Sequence, residues 1–398
     1  MRVLVLTQVV VYPADAGPKV KTLQVLQYLA ARHTVTYCTF TRSDTDIHNA
    51  EKLGKHCHRV ATVGIKRSRL QDARFLFESL ATDDSFILRR DESKAMHAMI
   101  RKLIQEEQID VLHVDQLNMM RFVPPDWNGK VVLDEHNAVW QVVERLKKGT
   151  NNLILRMFLS REVQKIRTLE GAACHRADVV LAVSKHDKQA LCDVAGPSAR
   201  VEIVPITVDA DSFESIWSKR APQTHRLFTI GTMFWPPNSE GVAWWLRKGF
   251  KYLQSLCPDA VYDIVGARPP RKLHRIARSW KHVHLHGYVA DTVPFWTQVT
   301  ALAVPILSGG GVRVKILEAM AMGVPIISTT VGCEGLDVAS GKHLLVADTP
   351  ETFAQACATV LQDSVLAQSL AQNARQLILE RYDAKVALQV LDHVYQQL

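Results

Sequence analysis

No apolar run in the sequence reaches the roughly 18 residues that a membrane-spanning helix needs. Seven cysteines occur in 398 residues, with no CxxC pair and no metal-ligand spacing around them. An odd, dispersed set points to reduced thiols in a cytosolic protein rather than a disulfide framework. The sixteen histidines show no zinc spacing either. The G-x-G-x-x-G dinucleotide fingerprint is absent, and so is the Walker G-x-x-x-x-G-K-[ST] loop, which argues against P-loop ATP hydrolysis. No internal repeat at solenoid spacing appears. The opening "MRVLVLTQVVVYPADAG" carries Arg2 and an apolar run but no small-residue cleavage site, so a buried first strand is expected there rather than a signal peptide.

What is present is an ordinary globular composition, 47% hydrophobic and 22% charged, in a chain long enough for two cores. The net charge is +8 and the pI about 9.1. Such a surplus serves solubility alone, or attracts nucleic acid, an anionic membrane or an anionic substrate, and charge by itself does not choose among these.

The first half alternates Val/Leu-rich runs with helical stretches: "RVLVLTQVV", "TVTYCTF", "DVLHVDQ", "KVVLDEHN" and "ADVVLAVS". Near-continuous apolar runs suit strands buried on both faces, and strand–helix–strand order makes them parallel. The pattern breaks at "VPITVDADSFESIWSKRAPQTH" and restarts with "RLFTIGTM", "VYDIVGA", "VHLHGYV", "ALAVPIL", "VPIISTT" and "HLLVAD". The expected fold is α/β, with two Rossmann-like doubly wound domains facing across a cleft. The expected boundaries are residues 1–204, a linker over 205–225, a second domain over 226–375, and a C-terminal helical segment over 376–398 packing back on the first domain.

Ligands of such sheets bind beyond the carboxyl ends of the strands, so residues just after strands carry the interest. "SGGGVRVKILEAMAMG" begins with Ser308 after one strand and leads into an amphipathic helix, with Ile316, Leu317 and Met320 on its apolar face. Arg313 and Lys315 are expected in the first turn of that helix, where cations oppose the helix dipole at a cost of roughly 0.3–1 kcal/mol each. One reading is a surface pair of Lys315 with Glu318, three residues on. The other is an anion held over Gly309, Gly310 and Gly311 by backbone N–H groups and both cations. Gly17, Lys19 and Lys21 repeat the pattern after the first strand, suggesting one shared anion.

The segment "GGGVRVKILEAMAMGVPIISTTVGCEGL", with "VHLHGYVAD" before it, resembles the donor-binding region of glycosyltransferase family 4, retaining enzymes of the two-domain GT-B fold. "GTMFWPPNSEGVAWW", beginning at Gly231, fits the family's first donor-domain strand and loop, and "DEHNAVW" and "ADVVLAVSKHD" fit its acceptor domain. The resemblance implies that Glu318 bonds the nucleotide ribose, that Gly309–Gly311 lie against donor sugar and phosphate, and that main chain at Val289 binds the base. It further implies that His136 stands near the donor sugar and that the Gly17 loop closes over the diphosphate. His136 read on its own is equally a buried, hydrogen-bonded histidine. Two departures stand out. The family's earlier glutamate is Gly310 here, and the Gly231 loop lacks the family's Arg and Lys, so Arg313 and Lys315 are expected to take the phosphate role.

Other signals are weaker. Asp44-Thr45-Asp46 and Asp209-Ala210-Asp211 spell DxD, but turns and helix caps explain such triplets, and no metal is expected. Trp235, Trp244 and Trp245 are expected in the core. The basic stretch from Arg145 to Gly171 carries Leu153, Ile154, Met157 and Phe158 at helical spacing, either packed on its own domain or lying on anionic lipid. No nucleic-acid reader motif appears, and no nucleic-acid partner is expected.

The combined expectation is a retaining hexosyltransferase that uses a nucleotide-diphosphate sugar, most plainly a UDP-sugar, with no cofactor. Its acceptor would be a glycan or lipid-linked sugar of cell-surface polysaccharide synthesis. Arg313, Lys315 and His136 are its candidate catalytic residues, and it would work in the cytoplasm, with an anionic membrane surface as a further partner. The alternatives are a nucleotide-sugar epimerase of the same architecture and a non-enzymatic basic protein that binds nucleic acid or membrane.

Overall fold

Strands that are apolar on both faces need helices on both sides, and that demand shapes both halves of this chain. The computed structural model describes residues 1–14 and 17–398. It divides into two units, Met1–Ile206 with Leu388–Leu398, and Thr207–Ala387.

The first unit holds β1 (Arg2–Thr7), β2 (Thr34–Thr41), β3 (Arg59–Gly64), β4 (Val111–Asp115), β5 (Lys130–Asp134), β6 (Val179–Ala182) and β7 (Val201–Ile203). Their order across the sheet is β3-β2-β1-β4-β5-β6-β7. The second unit holds β8 (Arg226–Ile230), β9 (Val261–Val265), β10 (Val283–Gly287), β11 (Ala301–Val304), β12 (Ile326–Ser328) and β13 (Leu345–Val346), in the order β10-β9-β8-β11-β12-β13. Every pairing is parallel, including in-register runs such as Val3↔Val35 and Ile230↔Val265. Both sheets are therefore doubly wound, as expected. Edge strands β3 and β7 escape the alternation seen in the sequence, because β3 is only half-buried along its length and β7 is three residues long.

Two boundaries differ from expectation. The Pro-rich stretch after Val204 is structured, with a turn at Asp211–Phe213 and a helix at Glu214–Ser218, and from Thr207 it is grouped with the second unit. Residues up to Ala387 also stay there. Val208 N donates to Tyr382 O at 2.9 Å, Ala384 N donates to Val208 O at 2.9 Å, and Tyr382 Oη accepts from Asp337 N at 2.8 Å. Only Leu388–Leu398 belongs with the first unit, where Tyr395 Oη lies 2.9 Å from His113 Nδ1 and Asp392 accepts from Tyr28 Oη at 2.8 Å. No helix among the described residues is long and apolar enough to cross a membrane.

Beneath the helix Gly17–Ala30 the first unit buries an ion pair. Lys21 shares the inward face of that helix with Val25 and Leu29, and its Nζ bonds Asp134 at the end of β5. Both side chains are essentially unexposed. Lys21 is thus not the ligand cation expected of it. Its charge is spent inside the fold, where periodicity, not the helix dipole, decides which way it points. Burial pushes the Asp134 carboxyl up, but Lys21, a His113 hydrogen bond and His136 together hold it well below the usual carboxylate range.

Removing one partner of such a pair leaves a buried charge uncompensated, at a cost of about 3–5 kcal/mol. Asp134→Asn is therefore expected to lower the urea-unfolding free energy by about that much, and the apolar double replacement Lys21→Met with Asp134→Leu to recover most of it. Equal stability of Asp134→Asn and the parent chain would show that the pair does not hold this helix.

Candidate functional site

In each sheet the chain changes winding direction at one point, between β1 and β4 and between β8 and β11. Open parallel sheets bind ligands outside the strand carboxyl ends at such a switch point. Two loops leave the second sheet there. One begins at Gly231 after β8. The other passes through Gly309–Gly311 after β11 and enters the helix Val314–Ala321.

Gly231 is where these loops meet. It has φ +154°, and a Cβ on it would sit 2.6 Å from Lys315 Nζ and 2.9 Å from Asn238 Nδ2. The missing side chain is the space the lysine occupies. Lys315 Nζ donates to Asn238 Oδ1 at 3.0 Å, and Asn238 Nδ2 donates to Thr232 O at 3.0 Å. A cation from the glycine-loop helix thereby stands in the other loop, which has no basic residue of its own. Burial, reinforced by the nearby Arg313 charge and opposed by Glu318, pushes the Lys315 ammonium down to about 8.

Arg313 is placed differently from expectation. It precedes the helix as an extended capping residue, φ −89° and ψ 96°, rather than lying in the first turn. Its Nη1 donates to Gly311 O at 2.9 Å and also to Gly310 O. Gly309 and Gly311 take φ +97° and +83°, and the guanidinium braces the loop they form. Glu318 lies in the second turn, half-buried. The surface pair with Lys315 does not form, because the lysine turns to Asn238. Among the described residues the Glu318 side chain has no hydrogen bond or ion pair, and burial raises its carboxyl against the pull of Lys315. Ile316, Leu317 and Met320 are fully buried and fix the helix beneath these groups.

Main-chain bonds lace the neighbouring loops into one rim. Gly231 N donates to Val265 O at 3.1 Å, Met233 N to Ala267 O at 3.0 Å, and Gly266 N to Gly287 O at 2.7 Å. Val289, half-buried, follows two residues after that last carbonyl. Trp235 is 56% exposed on this rim, against the expectation of a core residue, whereas Trp245 is fully buried.

At the first sheet's switch point, Gly17 opens the helix after β1; Asp15 and Ala16 lie outside the described residues. Thr22 Oγ1 donates to Asp115 Oδ1 at 2.8 Å. His136 is buried, with Nε2 3.0 Å from the same oxygen but out of line for a hydrogen bond. Glu135 faces other neighbours, and burial together with Glu170 pushes its carboxyl well up. Asp115, Asp134 and His136 cluster closely enough to hold a metal ion, but Lys21 already neutralises Asp134. The DxD triplets have local partners. Asp46 Oδ2 accepts from Arg42 N at 2.8 Å in a helix capped by Ser43, and Asp211 pairs with Lys385. Asn238 and Asp115 are the site residues that the sequence motifs passed over. Asp115 closes β4, and a survey of polar residues at strand ends would have listed it; Asn238 lies in the first turn of the helix that begins at Pro236, beyond the reach of such a survey.

A fold of two doubly wound sheets with a glycine loop, a cation and a free carboxylate at one switch point defines a class, and the comparisons agree on it. The description "Glycosyltransferase Family 4" matches residues 17–212, and "Glycosyl transferases group 1" matches 224–363. The chain belongs to glycosyltransferase family 4. An uncharacterized 44.6 kDa protein in the cps region of Klebsiella pneumoniae is 26% identical over 163 residues, 39% of this chain and 42% of that protein. Sucrose-phosphate synthase from Thermosynechococcus elongatus superposes with a TM-score of 0.72 at 16% identity, covering 100% of this chain and 98% of the other. HepE from Anabaena in complex with UDP gives 0.71 at 13% identity over the whole of both chains. WaaG, a glycosyltransferase involved in lipopolysaccharide biosynthesis, gives 0.63 at 15% over 99% of each. These neighbours share the GT-B fold.

Lys315 sets a pH dependence of known sign. Its folded value near 8 lies below the ordinary 10.5. Between those values the unfolded chain holds a proton that the folded chain has lost, so the stability of the ligand-free protein should rise with pH across that window. Lys315→Arg, which does not titrate there, and Lys315→Gln should both flatten that slope. Urea unfolding from about pH 7 to about pH 10 checks this; a parent chain whose slope across that window equals that of Lys315→Gln would show that the lysine keeps its proton in the folded chain.

Proposed function

We propose that this protein transfers a hexose from a UDP-sugar to a glycan or lipid-linked acceptor with retention of anomeric configuration, in the making of a surface polysaccharide. The observation that carries this reading is Glu318: a half-buried carboxylate without a protein partner, at the ligand edge of the second sheet, one turn from a cation. Two vicinal hydroxyls of a ribose are what such a group accepts from. UDP and UDP-glucose complexes of HepE support the donor class, and WaaG together with the cps-region relative supports the setting.

In this reading the C1–O bond to the diphosphate breaks as the acceptor oxygen bonds C1 on the same face. The acceptor proton passes to the leaving phosphate oxygen. The chain's task is to stabilise charge developing on the diphosphate, which preorganised donors do best. Lys315 and the N–H groups of the glycine loop supply that, Arg313 holds the loop in shape, main chain at Val289 receives the base, and His136 keeps its implied role at the donor sugar. The nucleotide sugar is itself the substrate, and no cofactor is required.

A membrane partner draws support from the first unit. Leu153, Ile154 and Met157 are 73–81% exposed rather than packed on their own domain, while Phe158 stacks edge-on against Phe86. The helix Arg69–Ala81 lies alongside, Arg161 Nη2 reaching Leu80 O at 3.4 Å, and it exposes Leu70 and Phe77. Apolar side chains interleaved with Arg156, Arg161, Lys147 and Lys148 suit the interface of an anionic bilayer.

Glu318→Ala should weaken UDP binding by about 1.5–3 kcal/mol, the worth of hydrogen bonds to a charged group, with folding unchanged; unaltered UDP affinity in a folded variant would sink the assignment. The parent chain should also co-sediment with anionic vesicles at low salt and release when salt screens the charge, while Ile154→Glu with Met157→Glu should stay in the supernatant. Equal capture by neutral vesicles would argue against an electrostatic contribution.

A further inference from the structure

The positive charge of this chain is not spread evenly. Between Glu240 and Ala290 there are nine Lys or Arg against three Asp or Glu, a surplus of six out of the net eight. Two of the three acids are engaged elsewhere, for Asp263 is buried between Arg226 and His286 and Asp259 binds His225. Among the described residues Lys251 alone of the nine faces a carboxylate, that of Glu351, and none of the other eight forms an ion pair. In the first unit, by contrast, arginines are paired as a rule: Arg59 with Glu106 and Glu107, Arg67 with Asp91, Arg101 with Asp126. Unrelieved like charge at i, i+4 and i+7 on one helix is unfavourable, so the absence of acids there calls for a ligand that supplies them.

The cations form a track. It begins at Arg268, a non-glycine residue at φ +52° just past β9, whose guanidinium lies 4.0 Å from the centre of the exposed Phe234 ring. It continues along the helix Arg271–Ala277. Arg271, His274, Arg275 and Arg278 line a hollow of about 470 Å³. A second hollow of about 570 Å³ sets Phe234 and Trp244 beside Arg247, Lys248 and Lys272, with Glu240 the one acid in its lining. The track thus starts at the ligand edge of the second sheet and runs back from it.

We propose that this track binds an acidic polysaccharide, a chain bearing carboxylates at sugar spacing, and holds it against the second unit. The inference rests on the reading that the protein handles glycans. Three features choose this occupant. Arg271, Arg275 and Arg278 recur at close to one helical turn, about 5.4 Å, the length scale of one hexose unit. Guanidinium forks match carboxylates in two-point contact. The exposed face of this helix carries four cations and His274, since Leu273 and Ala277 are buried and Ile276 is half-buried. It lacks exposed apolar side chains of the kind that enter a bilayer, and the aromatics of the track, Phe234 and Trp244, flank the helix rather than recurring along it as rungs for nucleobases.

The test titrates the full chain with a decamer of galacturonate, a neutral dextran decamer and a ten-residue oligothymidylate, with anionic vesicles as a separate arm. The galacturonate decamer should bind and the dextran should not. R271E/R275E/R278E should weaken galacturonate by about tenfold or more and leave UDP affinity unchanged, and R271Q/R275Q/R278Q should give a smaller loss in the same direction. A control reversal of Lys55, Lys219 and Lys342 should cost much less. An equal loss in that control would reduce the effect to net charge and overturn the proposal. So would tighter binding of oligothymidylate, or vesicle capture abolished by R271E/R275E/R278E. If UDP binds the parent chain but galacturonate does not, this inference alone falls; if UDP itself fails to bind, the transferase reading falls first.

Discussion

A parallel strand has to be re-entered from the end where its predecessor began, so every strand in both units hands its chain to a loop at the same edge. That constraint collects chemistry. Gly231, the glycine loop and the Val289 segment come from distant parts of the sequence, yet each follows a strand of one sheet. Main-chain bonds between successive loops then fix the rim, through Gly231 N to Val265 O and Gly266 N to Gly287 O. Any group that is to act on a ligand here has only to follow a strand.

The two switch points use lysine in opposite ways. Lys21 is sealed beneath its helix and answered by Asp134, so its charge serves cohesion. Lys315 is answered only by a neutral amide oxygen and a partly opposing carboxylate, and its ammonium is pushed down to about 8. A cation held short of full compensation is stabilised when an anion arrives. A fully paired one gains little. The difference between a lysine spent on cohesion and one left open to an anion therefore lies in what faces it, not in its position on a helix.

That difference explains how much was legible beforehand. The Val- and Leu-rich strands and the glycine loop could be read because each depends on local pattern, unbroken apolar runs and three consecutive glycines; Glu318 was marked by the resemblance alone, and the pairing its spacing from Lys315 suggested does not form. The edge strands β3 and β7 are too short or too exposed to show such a pattern. Lys21 was open to a correct reading, since it stands four residues before Val25 and eight before Leu29, on the buried stripe. The dipole argument outweighed that periodicity wrongly. Asn238 could not be found by any local rule, because its partner is 77 residues away and the contact exists only once β8 and β11 lie side by side.

Net charge shows the same division between local and assembled information. A total of +8 says little about partners, whereas its concentration between Glu240 and Ala290 is visible by counting. What counting leaves open is whether nearby acids from other segments neutralise those residues. They do so for the arginines of the first unit, where helix and turn carboxylates converge on Arg59 and Arg67. They do so far less for the helix Arg271–Ala277, whose neighbours contribute Phe234, Trp244, further cations and a single acid, Glu240. An uncompensated surface of one sign repels itself at every pH where arginine is charged. A fold that leaves such a surface one acid, Glu240, leaves most of the neutralising charge to come from outside, and the second unit thus carries under-compensated cations in two places: the single ammonium of Lys315 in the space that Gly231 leaves at the switch point, and the track running away from the same edge.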